Sequence, residues 1–213
     1  MPNRSTSRGV FVNCPFDPDY KEQFDALIFA IYDCGFYPRC ALEIADSGAV
    51  RFEKICELIQ ECRYGIHDLS RIQIDSATQL PRFNMPLELG LFLGAKKFSG
   101  RTKRRKVCLV MDTERYRYRN FCSDLAGVDI EAHSGDILEL VRVVRNWLRT
   151  NQEVEEIIPS GDHIFERYKQ FLAKLPEFCE RFRLNPKAII FRDYISVLEA
   201  WLLEHDWRAP QTS

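Results

Sequence analysis

An alternation constrains this chain more than any other feature: short apolar runs and amphipathic segments follow one another from residue 9 to residue 148. Gly9–Cys14 is brief, apolar and β-branched, as a buried strand is. Pro15, Asp17 and Pro18 interrupt it with turn chemistry. A helix follows, with Asp19 as its expected N-cap and Phe24, Leu27, Ile28 and Ile31 on one face; Gly35 ends it. Phe36–Leu42 reads as a second strand and Ile44–Gly48 as a loop. Val50–Cys62 reads as a second helix, with Phe52, Ile55, Cys56 and Ile59 on one face. Tyr64–Leu69 is a third strand, and Asn84 to Phe98 a third helix. Val107–Met111, closed by Asp112, is a fourth strand, Leu125–Glu131 a short fifth, and Asp136–Leu148 a closing helix.

Strands that alternate with helices pair in parallel, and the helices cover both faces of the sheet. The expected fold is α/β: a flavodoxin-like three-layer domain over residues 1–150, with a parallel sheet of about five strands. Residues 151–213 lose the strand pattern. Ile164–Leu175, Pro176–Phe182 and Pro186–Leu203 read as two or three helices, a small C-terminal helical extension behind a linker at 152–161. Eight Lys/Arg against eleven Asp/Glu make this extension acidic.

Composition removes several classes. The 213 residues carry 30 Lys/Arg and 31 Asp/Glu, so the chain is no polycation built for nucleic acid. Its longest apolar stretches, Phe24–Ile31 and Met85–Ala95, contain Asp25, Glu88 and two glycines, so no membrane span is expected. The leading residues lack an apolar signal core. The eight cysteines contain no C-x-x-C pair and lie beside none of the four histidines. Reduced thiols in a cytoplasmic protein, with no metal, are the expectation.

In an open parallel sheet, ligands bind beyond the carboxyl ends of the strands. The residues there are Asn13, Cys14, Pro15, Phe16 and Asp17 after the first strand, and Arg39 and Glu43 after the second. His67, Asp68 and Ser70 follow the third, and Asp112 and Glu114 the fourth. One more residue draws notice. Between Arg82 and Lys96, Glu88 is the only charge on an apolar helix that Asn84 suits as N-cap and Pro86 as first turn. Burying an ionised carboxylate costs several kcal/mol unless something compensates it. Glu88 is therefore either a structural carboxylate, serving the helix start or a buried Arg, or a catalytic one with a raised pKa. Gly90 and Gly94 suit close packing of this helix on the sheet. No G-x-G-x-x-G follows the first strand and no P-loop occurs, which argues against a Rossmann dinucleotide or a P-loop nucleotidase.

The first strand Val10-Phe-Val-Asn-Cys-Pro-Phe-Asp and the Glu88-Leu-Gly inside an apolar helix after the third strand resemble TIR domains. They resemble equally the nucleoside 2-deoxyribosyltransferases. The resemblance covers about residues 9–150, and departs at Asn13-Cys14 and at Met85-Pro86. It implies cleavage of an N-glycosidic bond, most directly NAD hydrolysis, with Glu88 as the catalytic glutamate and Asp68 set against sugar or base. The alternatives are a deoxyribosyltransferase or nucleotide N-glycosidase, and a non-catalytic module that binds a nucleotide or a protein. NAD enters as substrate; no cofactor is implied. Asn13, Cys14, Pro15, Phe16, Asp17, Arg39, Ser70 and Asn84 are the expected substrate-binding residues. Within that set Arg39 would hold a phosphate and Phe16 would stack on the base, while Asp68 or His67 would assist a neutral leaving group. A nucleotide or nucleoside partner and a homo-oligomer are expected. The basic run Arg101–Lys106 and the Tyr/Arg stretch from Arg115 make nucleic acid a lesser candidate, since both also suit solvated loops.

Overall fold

A computed structural model describes residues 8–43, 48, 50–72, 82–98, 105–153 and 155–208. Five strands form one parallel sheet: β1 (Gly9–Asn13), β2 (Tyr37–Arg39), β3 (Tyr64–Asp68), β4 (Val107–Asp112) and β5 (Glu131–Ala132). Their order is β2-β1-β3-β4-β5, the flavodoxin-like order, with its switch point between β1 and β3. Registers such as Asn13 opposite His67 and Asp68 opposite Met111 bring the carboxyl ends of β1, β3 and β4 level.

The helices are α1 (Lys21–Asp33), α2 (Arg51–Glu61), α3 (Asn84–Phe98), α4 (Ile137–Asn151), α5 (Gly161–Arg181) and α6 (Phe191–Glu204). Helices α1 and α4 cover one face, packed on Val10, Val12, Tyr64, Ile66 and Met111. Helices α2 and α3 cover the other, where Phe11, Ile55, Leu58 and Phe92 meet. The strands read from sequence differ in extent. β2 stops at Arg39 because the Glu43 carboxylate accepts from the Cys40 amide at 2.8 Å and turns the chain. Its Pro38 is tolerated because β2 is an edge strand. β5 does not span Leu125–Glu131: Ser123–Leu125 is a 3-10 turn and Gly127 has φ +95°, which breaks any extended run.

Gly35 ends α1 as expected, with φ +84° and the paired bonds Phe36 N to Ile31 O and Gly35 N to Tyr32 O. Asp19 does not cap α1. Pro18–Tyr20 forms a 3-10 turn instead, and it buries Tyr20. The close approach expected at Gly90 and Gly94 also lies elsewhere. A Cβ at Gly90 would meet nothing within 4 Å, whereas one at Gly65 on β3 would stand 2.6 Å from the Phe92 ring. The strand, not the helix, gives up its side chain so that α3 can seat.

The C-terminal helices share the main core rather than hanging beside it. Ile164, Tyr168, Phe171, Val197 and Trp201 belong to the same buried cluster as α1 and α4. Arg167 of α5 grips Asp33 at the end of α1 with bonds of 3.0–3.2 Å. α5 also runs unbroken through Pro176. Pro176 and Leu172 are both exposed, so the carbonyl that proline leaves unpaired lies on the solvated side. Among the described residues no helix is long and apolar enough to cross a membrane.

Candidate functional site

The carboxyl edge of the sheet holds two kinds of carboxylate. Glu88 lies in the second turn of α3, whose first bond runs from Leu87 N to Phe83 O. Phe83 thus occupies the capping position, and the exposed Asn84 is the first helical residue rather than the cap. Glu88 is 8% exposed, and among the described residues no hydrogen bond or ion pair reaches its carboxylate. Burial raises its pKa to about 7, and Arg51 at the start of α2 pulls it back only in part. Glu88 is near enough to Cys14, after β1, to disfavour that thiolate, so it belongs to the β1/β3 switch point. Arg51 is exposed and, among the described residues, likewise makes no hydrogen bond or ion pair. The sequence reading passed over it; its place at the first turn of a helix after β2 was the available signal.

Asn13 sets the height of α3. Its Nδ2 donates to Met85 O at 2.8 Å and to His67 Nδ1 at 3.0 Å, tying β1, β3 and the first turn of α3 together. His67 is wedged against Phe11 and Phe92, with ring centroids 5.8 and 5.1 Å away. Burial lowers its pKa to about 3, so it is neutral, and the bond from Asn13 makes it the Nε2–H tautomer. It carries no spare proton for a leaving group near neutral pH. Asn13 is likewise a tether between backbone segments, not an open ligand contact.

Asp68 is the second kind of carboxylate. It is wholly buried, and its oxygens are spoken for. Tyr20 Oη donates to Oδ2 at 2.5 Å and the Ser70 amide to Oδ1 at 2.8 Å. His133 Nε2 stands 3.1 Å from Oδ2, at ion-pair distance but off the hydrogen-bond axis. Burial pushes the Asp68 pKa up; His133, Tyr20 and the Ser70 amide outweigh it and hold the pKa below the usual value. The same carboxylate, with Asp112, raises the pKa of His133 against the effect of burial. Asp112 in turn accepts two bonds from Arg117, whose Nη2 also donates to Leu69 O at 2.8 Å. Through these partners Asp68 ties the ends of β3 and β5 to the loop after β1. Tyr20 and His133, its partners, carried no sequence signal, because one lies in a turn and the other beyond a two-residue strand.

The remaining expected residues separate. Cys14 and Pro15 are buried, and desolvation holds the Cys14 thiol well above its ordinary pKa. Ser70 is buried with an unpartnered Oγ. Arg39 spends its guanidinium on Glu43 (2.8 Å) and Glu61 (3.0 Å), so it is a surface ion-pair residue rather than a free phosphate clamp. Phe16 and Asp17 sit at the mouth of a groove toward α6. The eight cysteines are free, and no cluster of metal-ligating side chains occurs among the described residues. Arg101, Lys103 and Arg104 lie outside the described residues. Lys106 is buried, donating to the Ile59 and Cys62 carbonyls at the end of α2.

No protein-family model matches the chain, and no curated protein matches it. Among solved structures it is similar to a diflavin flavoprotein A3 from Nostoc sp., at 16% identity and a TM-score of 0.37, over 67% of this chain and 92% of that one.

Proposed function

We propose that the protein cleaves the N-glycosidic bond of a nucleotide whose base departs from a cationic state, NAD being the leading candidate. One observation carries the reading: a buried carboxylate at the switch point that has no bonded partner among the described residues, beside an Asp68 whose oxygens are already bonded. Cleavage passes through a transition state with positive charge on the sugar. The C–N electron pair leaves with the base, and water adds to the anomeric carbon and loses a proton. A pyridinium base departs neutral and needs no proton, so one carboxylate suffices. A neutral purine or pyrimidine needs an acid, and Asp68 and His67 are both committed elsewhere. This favours a nucleosidase of the NAD type over a deoxyribosyltransferase.

In this reading Glu88 stabilises the developing cation or attacks it. A cationic substrate also favours the ionised form of a carboxylate whose pKa stands near 7. Arg51 takes the phosphate role that Arg39 cannot. Exposed Val50, Phe52, Phe83 and Leu87 give α2 and α3 an apolar rim, on which a second copy would seat to complete the site. Free thiols accord with a reducing, cytoplasmic setting. The test is release of nicotinamide from NAD by purified protein at several concentrations. Turnover that rises faster than protein concentration, and is absent in Glu88→Gln, is expected. Equal turnover in both proteins refutes the assignment of Glu88.

A further inference from the structure

At the ends of β3, β4 and β5 the buried charges do not balance. Asp68 and Asp112 are wholly buried. Arg117 sets one guanidinium against them, held on Asp112 Oδ1. Tyr20, on Asp68 Oδ2 at 2.5 Å, does not alter the count, because burial and Asp68 keep its phenol protonated. Two carboxylates against one guanidinium leave a negative charge in surroundings that screen it poorly. Asp112 shows the effect: burial raises its pKa although Arg117 and the Thr113 amide oppose it, and its Oδ2 accepts no hydrogen bond among the described residues. An imidazolium at His133 would cancel the excess. Its Nε2 stands 3.1 Å from Asp68 Oδ2, and its backbone amide donates to Asp112 O at 3.1 Å, beside the end of β4. Burial and Arg117 act to lower the His133 pKa, and Asp68 and Asp112 outweigh them.

The other ring nitrogen asks for the opposite. Gly135 N donates to His133 Nδ1 at 3.1 Å, so Nδ1 carries no proton and the ring is neutral, with its hydrogen on Nε2. That bond braces a tight turn. Ser134 and Gly135 both have left-handed backbones, φ +54° and +74°, and Asp136 N returns to His133 O at 2.8 Å. A left-handed serine is uncommon and needs such support. Asp136 then caps α4, accepting from Glu139 N at 2.8 Å. One imidazole cannot meet both demands. An imidazolium donates from both nitrogens, and its Nδ1–H would face the Gly135 N–H.

We propose that His133 is a proton switch on the turn between β5 and α4. The neutral ring holds Gly135 and leaves the charge of Asp68 and Asp112 in excess; the imidazolium cancels that charge and releases Gly135. Ser134, Gly135 and Asp136 are exposed, so the turn can move while the core stays closed. Tyr20 shares Asp68 Oδ2, so the loop after β1 feels the same proton. The inference does not depend on the role of Glu88.

Nuclear magnetic resonance of the full chain tests it, by following the His133 ring nitrogens and the Gly135 amide between about pH 5 and 8, where histidine acts as a switch. The ring should titrate with a midpoint above the ordinary 6.5. Below that midpoint Gly135 should lose roughly 5-fold in exchange protection, corrected for intrinsic rate, as the loss of one net hydrogen bond implies. Circular dichroism should stay constant across the step. In His133→Asn the amide oxygen takes the place of Nδ1 and cannot be protonated, so Gly135 should show no step. Glu88→Gln should leave the wild-type curve in place, although Glu88 itself titrates near 7. A ring that stays in one tautomer throughout overturns the proposal, as does a ring that titrates while Gly135 does not follow. A Gly135 step that persists in His133→Asn, or vanishes in Glu88→Gln, overturns it as well.

Discussion

Glu88 and Asp68 stand at the same edge of one sheet, and both are buried, yet their surroundings push their pKa values in opposite directions. Asp68 has a tyrosine, an amide and a histidine around it and is held below the usual carboxylate range. Glu88 has no bonded partner among the described residues and rises to about 7. The difference is in compensation, not depth. A carboxylate whose charge is matched by fixed donors is part of the framework, and its removal unravels the contacts it organises. One whose charge is unmatched stores a desolvation cost that a cationic ligand can relieve. Position on a sheet edge nominates residues for chemistry; the partners decide which of them have capacity to spare.

The largest expected effect tests the matched side. Asp68→Asn removes the charge that faces His133 and weakens the acceptor for Tyr20 and Ser70. Urea denaturation should show a loss of about 3 kcal/mol or more, as breaking a buried pair does. A variant as stable as the wild type would erase the distinction drawn between the two carboxylates.

Glu88→Gln comes next and should invert that result. Activity on a cationic N-glycoside should fall roughly 100-fold or more, the effect of losing one electrostatic stabiliser. Stability should not fall with it, and the pH dependence gives the sign. The folded-state pKa is raised from 4.5 to about 7, so the folded protein binds this proton more tightly than the unfolded chain. The wild type keeps that advantage below about pH 4.5 and loses it as pH rises to about 7. Between those limits Glu88→Gln should gain on the wild type, by roughly 3 kcal/mol once the loss is complete. Parallel stability curves for the two proteins would show that Glu88 is already compensated. In the wild type kcat/KM should climb through pH 7 as the carboxylate ionises, and the limb for kcat should lie lower once a cationic substrate is bound.

A third substitution separates holding the site from acting in it. Asn13→Ala frees α3 from β1 and leaves Met85 O and His67 Nδ1 short of a donor. A loss of ~1–3 kcal/mol is expected for buried groups left unpaired. The fall in kcat should be smaller than for Glu88→Gln, because the carboxylate remains. An Asn13→Ala protein as inactive as Glu88→Gln, yet fully stable, would move Asn13 into contact with the substrate.

Much of this was legible in the residues. Alternating apolar runs placed β1, β3, β4 and the helices that cover them, since a period of two or 3.6 survives whatever the partner is. The isolation of Glu88 on an apolar helix was legible for the same reason, as one charge against a pattern. Relations between distant segments were not. The seat for α3 is Gly65, a strand residue that means nothing until Phe92 is placed above it. Asp68 looked available because Tyr20 and His133 lie 48 and 65 residues away in sequence. The unity of the C-terminal helices with the main core rests on Asp33 meeting Arg167 across 134 residues. Periodicity reports which face is buried; it is silent on what buries it.

The smallest effect is expected at Arg39, and it separates position from capacity most cleanly. Arg39 ends β2 at the carboxyl edge, as a phosphate clamp would, but Glu43 and Glu61 already occupy its guanidinium. The side chains of this trio are 27–50% exposed, so the ion pairs are screened by solvent. Pairs of this kind contribute about 0–1 kcal/mol. Arg39→Ala should leave stability within that range and leave KM for NAD unchanged. Arg51→Ala should raise KM several-fold, because a guanidinium that makes no hydrogen bond or ion pair among the described residues has its bonds still to give. A higher KM in Arg39→Ala with none in Arg51→Ala would reverse the assignment. It would mean that a substrate phosphate outcompetes two carboxylates for Arg39, and that matched charges at this edge are exchangeable rather than fixed.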